Sequence, residues 1–311
     1  MRRSKRERGF VLGIKEYITH LRSEGRYSSA KSYQDALGSL QRFFRGSSIA
    51  YTDITKDSLR YYQAYLLEQG RSWNTVSTYI RRIRHIYNVG IERGRAPYVR
   101  HLFEAVFTGV ESRRKLALPS AEMRRLMNTP VNSPGLRRTQ LSLSLMFLYG
   151  GMAFVDFAHL SQANLEGGRL DYRRQKTGTT LQMLLPDIAS ELSLELAGDT
   201  SKGNSYIYSF LSGSKQGEEA YREYTSALSR FNRDLRALAK AVGVESPVSS
   251  YTIRHTFATT LKELGVSVEV ISELMGHKSI KTTQIYLKGF SLERLSAENA
   301  ACFNSVYQAC H

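Results

Sequence analysis

Residues Ser249 to Gly265 read SSYTIRHTFATTLKELG, and a little further on Met275 to Gly289 read MGHKSIKTTQIYLKG. The apolar spacing of the first stretch predicts a helix from Thr252 to Leu264 that carries Arg254 and His255 at its start. Between the two stretches, VSVEVISELMGH predicts a short helix reaching Gly276, with His277 just beyond it. The second stretch then places Tyr286 among small polar and basic residues and two isoleucines. A tyrosine in so basic and weakly apolar a segment is offered to something outside the core.

Working outward, Gln140 to Tyr149 is strongly apolar, and LEGGRLDYRRQKTGTTLQMLLP alternates, with turn signals at Gly167-Gly168 and Thr177-Gly178. That pattern predicts a short antiparallel sheet, with helices returning from Glu219 onward. Residues 95–115 look like a junction, with the boundary near Val110. Before it the pattern is helical. Phe10, Ile14, Tyr17, Ile18 and Leu21 share one face, and Tyr33, Leu37, Leu40 and Phe44 another. Thr55 can cap a third helix through Leu67, ended by Gly70, and Ser72 can cap a fourth. In the fourth, Val76, Ile80, Ile83 and Tyr87 form the buried stripe, while Arg81, Arg82, Arg84, Ser77 and Thr78 fall mostly off it. A basic face of this kind suits a phosphate backbone, and a solvated helix face suits the same residues. The expected fold class is mainly α with a small antiparallel β-sheet (α+β). It comprises a basic arm over residues 1–9, a helical domain over 10–110 and a second domain over 111–311.

The totals narrow the partner. The 311 residues carry 44 Lys and Arg against 28 Asp and Glu, a formal charge of +16. Such an excess favours a polyanion, with nucleic acid ahead of an anionic membrane surface. No apolar run is long enough to span a bilayer, and MRRSKRERGFVLGIKEYITHL lacks a signal peptide's apolar core, so a cytoplasmic protein is expected. Cys302 and Cys310 offer no disulfide framework or metal knuckle. No Asp, Glu and His cluster has metal-ligand spacing, so no metal and no cofactor is expected.

The run Arg-His-Thr-Phe-Ala-Thr from Arg254, then Leu-Met-Gly-His-Lys-Ser from Leu274, then Thr-Thr-x-x-Tyr ending at Tyr286 resembles the C-terminal signature of the tyrosine recombinases, the phage-integrase family. The helical first part is similar to that family's core-binding domain. The resemblance implies that Tyr286 is the nucleophile on a DNA phosphodiester, forming a 3′-phosphotyrosyl link and releasing a 5′-hydroxyl. A phenol, with a reference pKa of about 10, attacks only when positioned beside donors and positive charge. The match implies that Arg254 clamps the phosphate, that His277 hydrogen-bonds it and that Lys176 is the general acid to the leaving oxygen. Tyr251 stands where the family commonly has a histidine, His255 reads as packing or support, and Asp156 matches the acid of the family's first box.

That first box departs from the pattern. It reads YGGMAFVDFAHL, similar to the conjugative-transposon branch, yet Ala153 stands at the usual arginine position and Gly150 at the branch's shifted one. Arg137, Arg138, Arg173 and Arg174 are the candidates to replace it. Three functions therefore stand open: a site-specific recombinase that integrates, excises or inverts DNA, a cleavage-deficient DNA-binding regulator, and a type IB topoisomerase-like strand transferase. Residues 291–311 read as a helix capped by Ser291, which the resemblance implies is exchanged between protomers. The partners so implied are double-stranded DNA with specific recombination sites, a homotetramer on synapsed DNA and accessory DNA-bending proteins, without a membrane.

Overall fold

The computed structural model describes residues 9–111, 117–197, 205–277, 279, 280, 283, 296 and 299–302. Tyr286, the basic arm over 1–8 and most of the C-terminal helix segment lie outside the described residues. The contacts divide the chain into two units: Met1–Arg114 with Gln216–Tyr221, and Lys115–Lys215 with Arg222–His311.

The first unit is built on four helices, α1 (Phe10–Ser23), α2 (Tyr27–Phe43), α3 (Lys56–Glu68) and α4 (Trp73–Glu92). Local chemistry sets their ends. Thr55 Oγ1 accepts from the Ser58 amide and Ser58 Oγ accepts from the Thr55 amide, a reciprocal box worth about 1 kcal/mol. Gly70, at φ +70°, turns the chain out of α3, and Ser72 caps α4 through the Thr75 amide. Val76, Ile80, Ile83 and Tyr87 are buried as a stripe. Tyr51 fills the space between α1 and α4, and only glycines admit it: a Cβ on Gly13 or Gly90 would lie 2.4 Å from its ring or hydroxyl.

The second unit begins with α5 (Ser120–Asn128), α6 (Pro134–Leu148) and α7 (Phe154–Ala158). A three-stranded antiparallel sheet follows, in the order β1 (Leu165–Glu166), β2 (Arg169–Arg173), β3 (Thr180–Leu184). Gly167 and Gly168 both have positive φ and form the two-residue turn that pairs Glu166 with Arg169. The β2–β3 connection runs over residues 174–179, closed by Arg174 N to Thr179 O at 2.9 Å and Gly178 N to Arg174 O at 2.8 Å. Helices α8 (Asp187–Ala197), α9 (Gly217–Ala241, from Arg222 onward), α10 (Ser250–Glu263) and α11 (Val268–Leu274) complete the unit. Helix α10 starts two residues before the expected Thr252, because Ser249 caps it by accepting from the Thr252 amide. The element content is mainly helical with one small sheet, as the pattern predicts.

Candidate active site

The end of α11 shapes the site. His277 N donates to Ser272 O at 2.9 Å and Gly276 N to Glu273 O at 2.8 Å, the paired bonds that close a helix on a left-handed residue. Gly276 supplies that residue at φ +61°, and its missing side chain is needed twice over. A Cβ there would lie 2.8 Å from Arg174 Cδ and from Leu181 Cδ1. The carbonyls of Met275 and Gly276 are left for other donors, and two arginines take them.

Arg254, on the second turn of α10, donates from Nη1 to Gly151 O at 2.8 Å and from Nη2 to Met275 O. Its Nη2 also lies 3.2 Å from His277 Nε2, whose ring approaches Thr283 Oγ1 through Nδ1 at 2.8 Å. For Nε2 to accept from a guanidinium, Nδ1 must carry the hydrogen and donate to Thr283. Arg174, the first residue after β2, donates from Nη1 to Met275 O at 3.1 Å and to Gly276 O at 2.8 Å. One carbonyl oxygen, that of Met275, thus receives both guanidinium groups.

Asp156, on α7, is the counter-charge. Its Oδ1 accepts from the Gln175 amide at 2.8 Å, which pins the β2–β3 connection, and its Oδ2 lies 3.5 Å from Arg174 Nε. Arg254 and Arg174 are 2% and 7% exposed, and Asp156 is the one buried carboxylate among the described residues. Two buried cations against one buried anion leave an excess positive charge that favours binding an anion. Tyr172, buried on β2 nearby, has its phenol pushed up by desolvation and, secondarily, by Asp156, so it stays protonated.

An open cavity of about 610 Å³ is lined by Ala153, Arg174, Lys176, Tyr251, Arg254 and His277. The structure therefore brings together Lys176, Tyr251, Arg254 and His277 from three separate stretches of sequence. Tyr251 is half exposed and sets its ring edge-on to His255, which is buried. Of the four arginines proposed as replacements, three are held elsewhere. Arg137 makes a bidentate pair with Glu195 at 2.7 Å. Arg138 is turned to the carbonyls of Leu196 and Tyr208 and over the Phe210 ring. Arg173 donates to Gly178 O at 2.9 Å. Arg174 alone of the four lines the cavity.

Among the expected DNA-binding residues, Arg81 and Arg84 are exposed on α4. Ser77 is corrected: it is fully buried and donates to Gly109 O, so its hydroxyl faces the protein. Arg82 is half buried, donating to Ser32 Oγ at 3.2 Å and lying over the Tyr33 ring. Thr78 donates to Asn74 O at 2.7 Å, one turn back in its own helix. Sequence reasoning missed Thr283 as the partner of His277 and the Met275 and Gly276 carbonyls as the seat of both arginines. The Thr-Thr pair before Tyr286 was the available signal for the first; backbone carbonyls leave none.

A helical unit is thus joined to a unit in which two buried arginines, an exposed lysine and a partly buried histidine line one open cavity. The chain belongs to the phage integrase family: the model of that family matches residues 117–291, and the phage integrase SAM-like domain matches 10–99. It is 26% identical to tyrosine recombinase XerD of Listeria monocytogenes over 272 residues, 76% of this chain and 82% of that one. It is 24% identical to tyrosine recombinase XerC of Natranaerobius thermophilus, over 90% of this chain and 93% of that one. In fold it is similar to the Tn1549 transposon integrase in complex with a circular intermediate DNA, at TM-score 0.69 and 14% identity over 94% of this chain and 99% of that one. The lambda integrase dimer bound to a COC′ core site is similar at TM-score 0.68 and 16% identity, over 90% and 98% of the two chains.

Proposed function

We propose that the protein is a site-specific tyrosine recombinase that cuts and rejoins double-stranded DNA through a covalent tyrosyl intermediate. The observation that carries this reading is the convergence of Arg254, Lys176 and His277 on one cavity whose buried cations outnumber its buried anions. The guanidinium of Arg254 stabilises charge on the non-bridging oxygens, and His277 adds a hydrogen bond to them once its Nε2 takes up a proton as the phosphate arrives, Nδ1 keeping its bond to Thr283. The Tyr286 oxygen attacks phosphorus as the bond to the 5′-oxygen breaks. The phenol's proton passes to solvent water, Lys176 delivers one to the departing oxygen and regains one from solvent, so the step is proton-neutral overall. The phosphotyrosyl ester conserves the bond energy, and the 5′-hydroxyl can return to reseal the strand without ATP. The exposed Arg81 and Arg84 of the helical unit suit phosphate contacts along the flanking duplex.

Recombination requires two sites, so a homotetramer on synapsed DNA belongs to the reading, with accessory DNA-bending proteins where the sites are long. The setting is the cytoplasm; no described helix is long and apolar enough to cross a membrane. The test is covalent trapping without metal, on nicked duplexes drawn from the DNA flanking the gene. Wild type should give a protein–DNA adduct on denaturing gels, and Tyr286→Phe should give none. Specific binding with no adduct at any pH would instead identify a cleavage-deficient regulator.

A further inference from the structure

We propose that Arg174 supplies the second guanidinium of the phosphate clamp, from the β2–β3 connection instead of from the loop after α6. The inference rests on the reading of the cavity as a DNA-cleaving site and adds to it a residue that no sequence motif assigns.

Neither position in the loop after α6 provides that group. Gly150 has φ +71°, and a Cβ on it would lie 3.2 Å from Leu274 O and 3.0 Å from Met183 Cε. A side chain there is strained and has no room to leave. Ala153 does line the cavity, but offers only a methyl group. Arg174 lines the same cavity as Ala153 and brings to it the guanidinium that position 153 lacks.

The side chain of Arg174 is held as a clamping group has to be held. Gly276 lets its stem pass close, since any Cβ there would collide with Cδ. The carbonyls of Met275 and Gly276 take Nη1, and Asp156 faces Nε at 3.5 Å. Among the described residues none accepts from Nη2, and Arg174 lines the cavity. Sharing the Met275 carbonyl with Arg254 sets two guanidiniums side by side, repelling each other with a single carboxylate between them and neutrality. A phosphate bound between the two relieves that repulsion, and pre-aligned donors of this kind act without reorganisation during the reaction. Arg137, Arg138 and Arg173 do not line the cavity, which makes them internal controls.

The test compares charge with hydrogen bonding at one position. On the nicked duplex, the full chain carrying Arg174→Lys keeps the charge, and Arg174→Gln keeps neutral donors for the two carbonyls. Cleavage is read as the first-order rate in the bound complex, with DNA affinity and melting temperature measured in parallel. We expect Arg174→Gln to lose at least about 100-fold in rate with affinity near wild type, and Arg174→Lys to recover part of the loss. Arg173→Gln should cleave within about threefold of wild type. Arg174→Gln cleaving as fast as Arg174→Lys, or both within threefold of wild type, would overturn the assignment. If Arg174→Gln fails to fold, Arg174→Lys decides alone: a folded, bound complex at the wild-type rate overturns the need for a fork, and a rate at least tenfold lower supports it. A wild type that forms no adduct would sink the recombinase reading itself, an outcome distinct from either of these.

Discussion

Two regions of the second unit hold their arginines in opposite ways. Beside α8, Arg137 meets Glu195 in a fork at 2.7 Å and Arg138 is enclosed by carbonyls and an aromatic ring. Burial pulls the Arg138 guanidinium below its ordinary value, but its acceptors are all within the protein. At the end of α11, Arg174 and Arg254 share one carbonyl, Asp156 faces Arg174, and both arginines line a cavity. The first arrangement is closed and stabilises the fold. The second sets two buried cations against one buried carboxylate among the described residues, an excess that a ligand with two negative oxygens can satisfy. Counting arginines in the sequence could not separate these cases, because the distinction lies in which acceptors the fold delivers.

The largest effect should come from removing Asp156, the carboxylate that faces Arg174. Asp156→Ala leaves Arg174 without its carboxylate and the Gln175 amide without its acceptor. Breaking one side of a buried pair costs about 3–5 kcal/mol, which should appear as a clear fall in melting temperature. Added duplex DNA should recover more of that loss than it adds to wild type, because phosphate replaces the missing anion. Asp156→Asn restores the amide's acceptor without the charge and should fall between the two. An Asp156→Ala protein that melts like wild type would mean that the arginines are balanced from elsewhere.

How far the sequence could be read follows the same division. The caps at Thr55 and Ser72, the glycine turns and the α4 stripe were legible because each depends on residues a few positions apart. Lys176, Arg254 and His277 were legible through family spacing, and the cavity now places them together. Arg174 could be named as a candidate, yet not chosen, because its selection depends on Gly276, Asp156 and a backbone carbonyl from three distant segments. Ser77 misled for a related reason. On the helix it falls beside the apolar stripe, and only the return of the chain at Gly109 buries it. Position on a helix wheel does not report what a later segment covers.

A smaller effect is expected at Thr283, which is buried and receives the His277 Nδ1 hydrogen. Thr283→Val keeps the shape and removes the acceptor, freeing the imidazole to rotate or to move its hydrogen to Nε2. As a positioning residue it should cost about tenfold in the rate of the bound complex, roughly 1.4 kcal/mol. Thr283→Ser should restore the rate, and the pH profile of cleavage should shift in the valine variant alone. An unchanged rate and profile would reduce this contact to packing.

The smallest effect belongs to the closed region. Arg137 and Glu195 are both about half exposed, so solvent screens their pair and Arg137→Ala should cost no more than about 1 kcal/mol. Hydrogen bonds from Arg137 hold the Glu195 carboxyl below its ordinary value, so the contribution has a predictable pH dependence. It is complete above the unfolded carboxylate's pKa and disappears as the pH falls through the lower folded value. The stability gap between wild type and Arg137→Ala should therefore narrow on acidification and in high salt, while cleavage of the nicked duplex stays at the wild-type rate. A loss of cleavage in a well-folded Arg137→Ala protein would break the contrast, because it would place in the reaction an arginine whose donors are already occupied by Glu195 and Gln140.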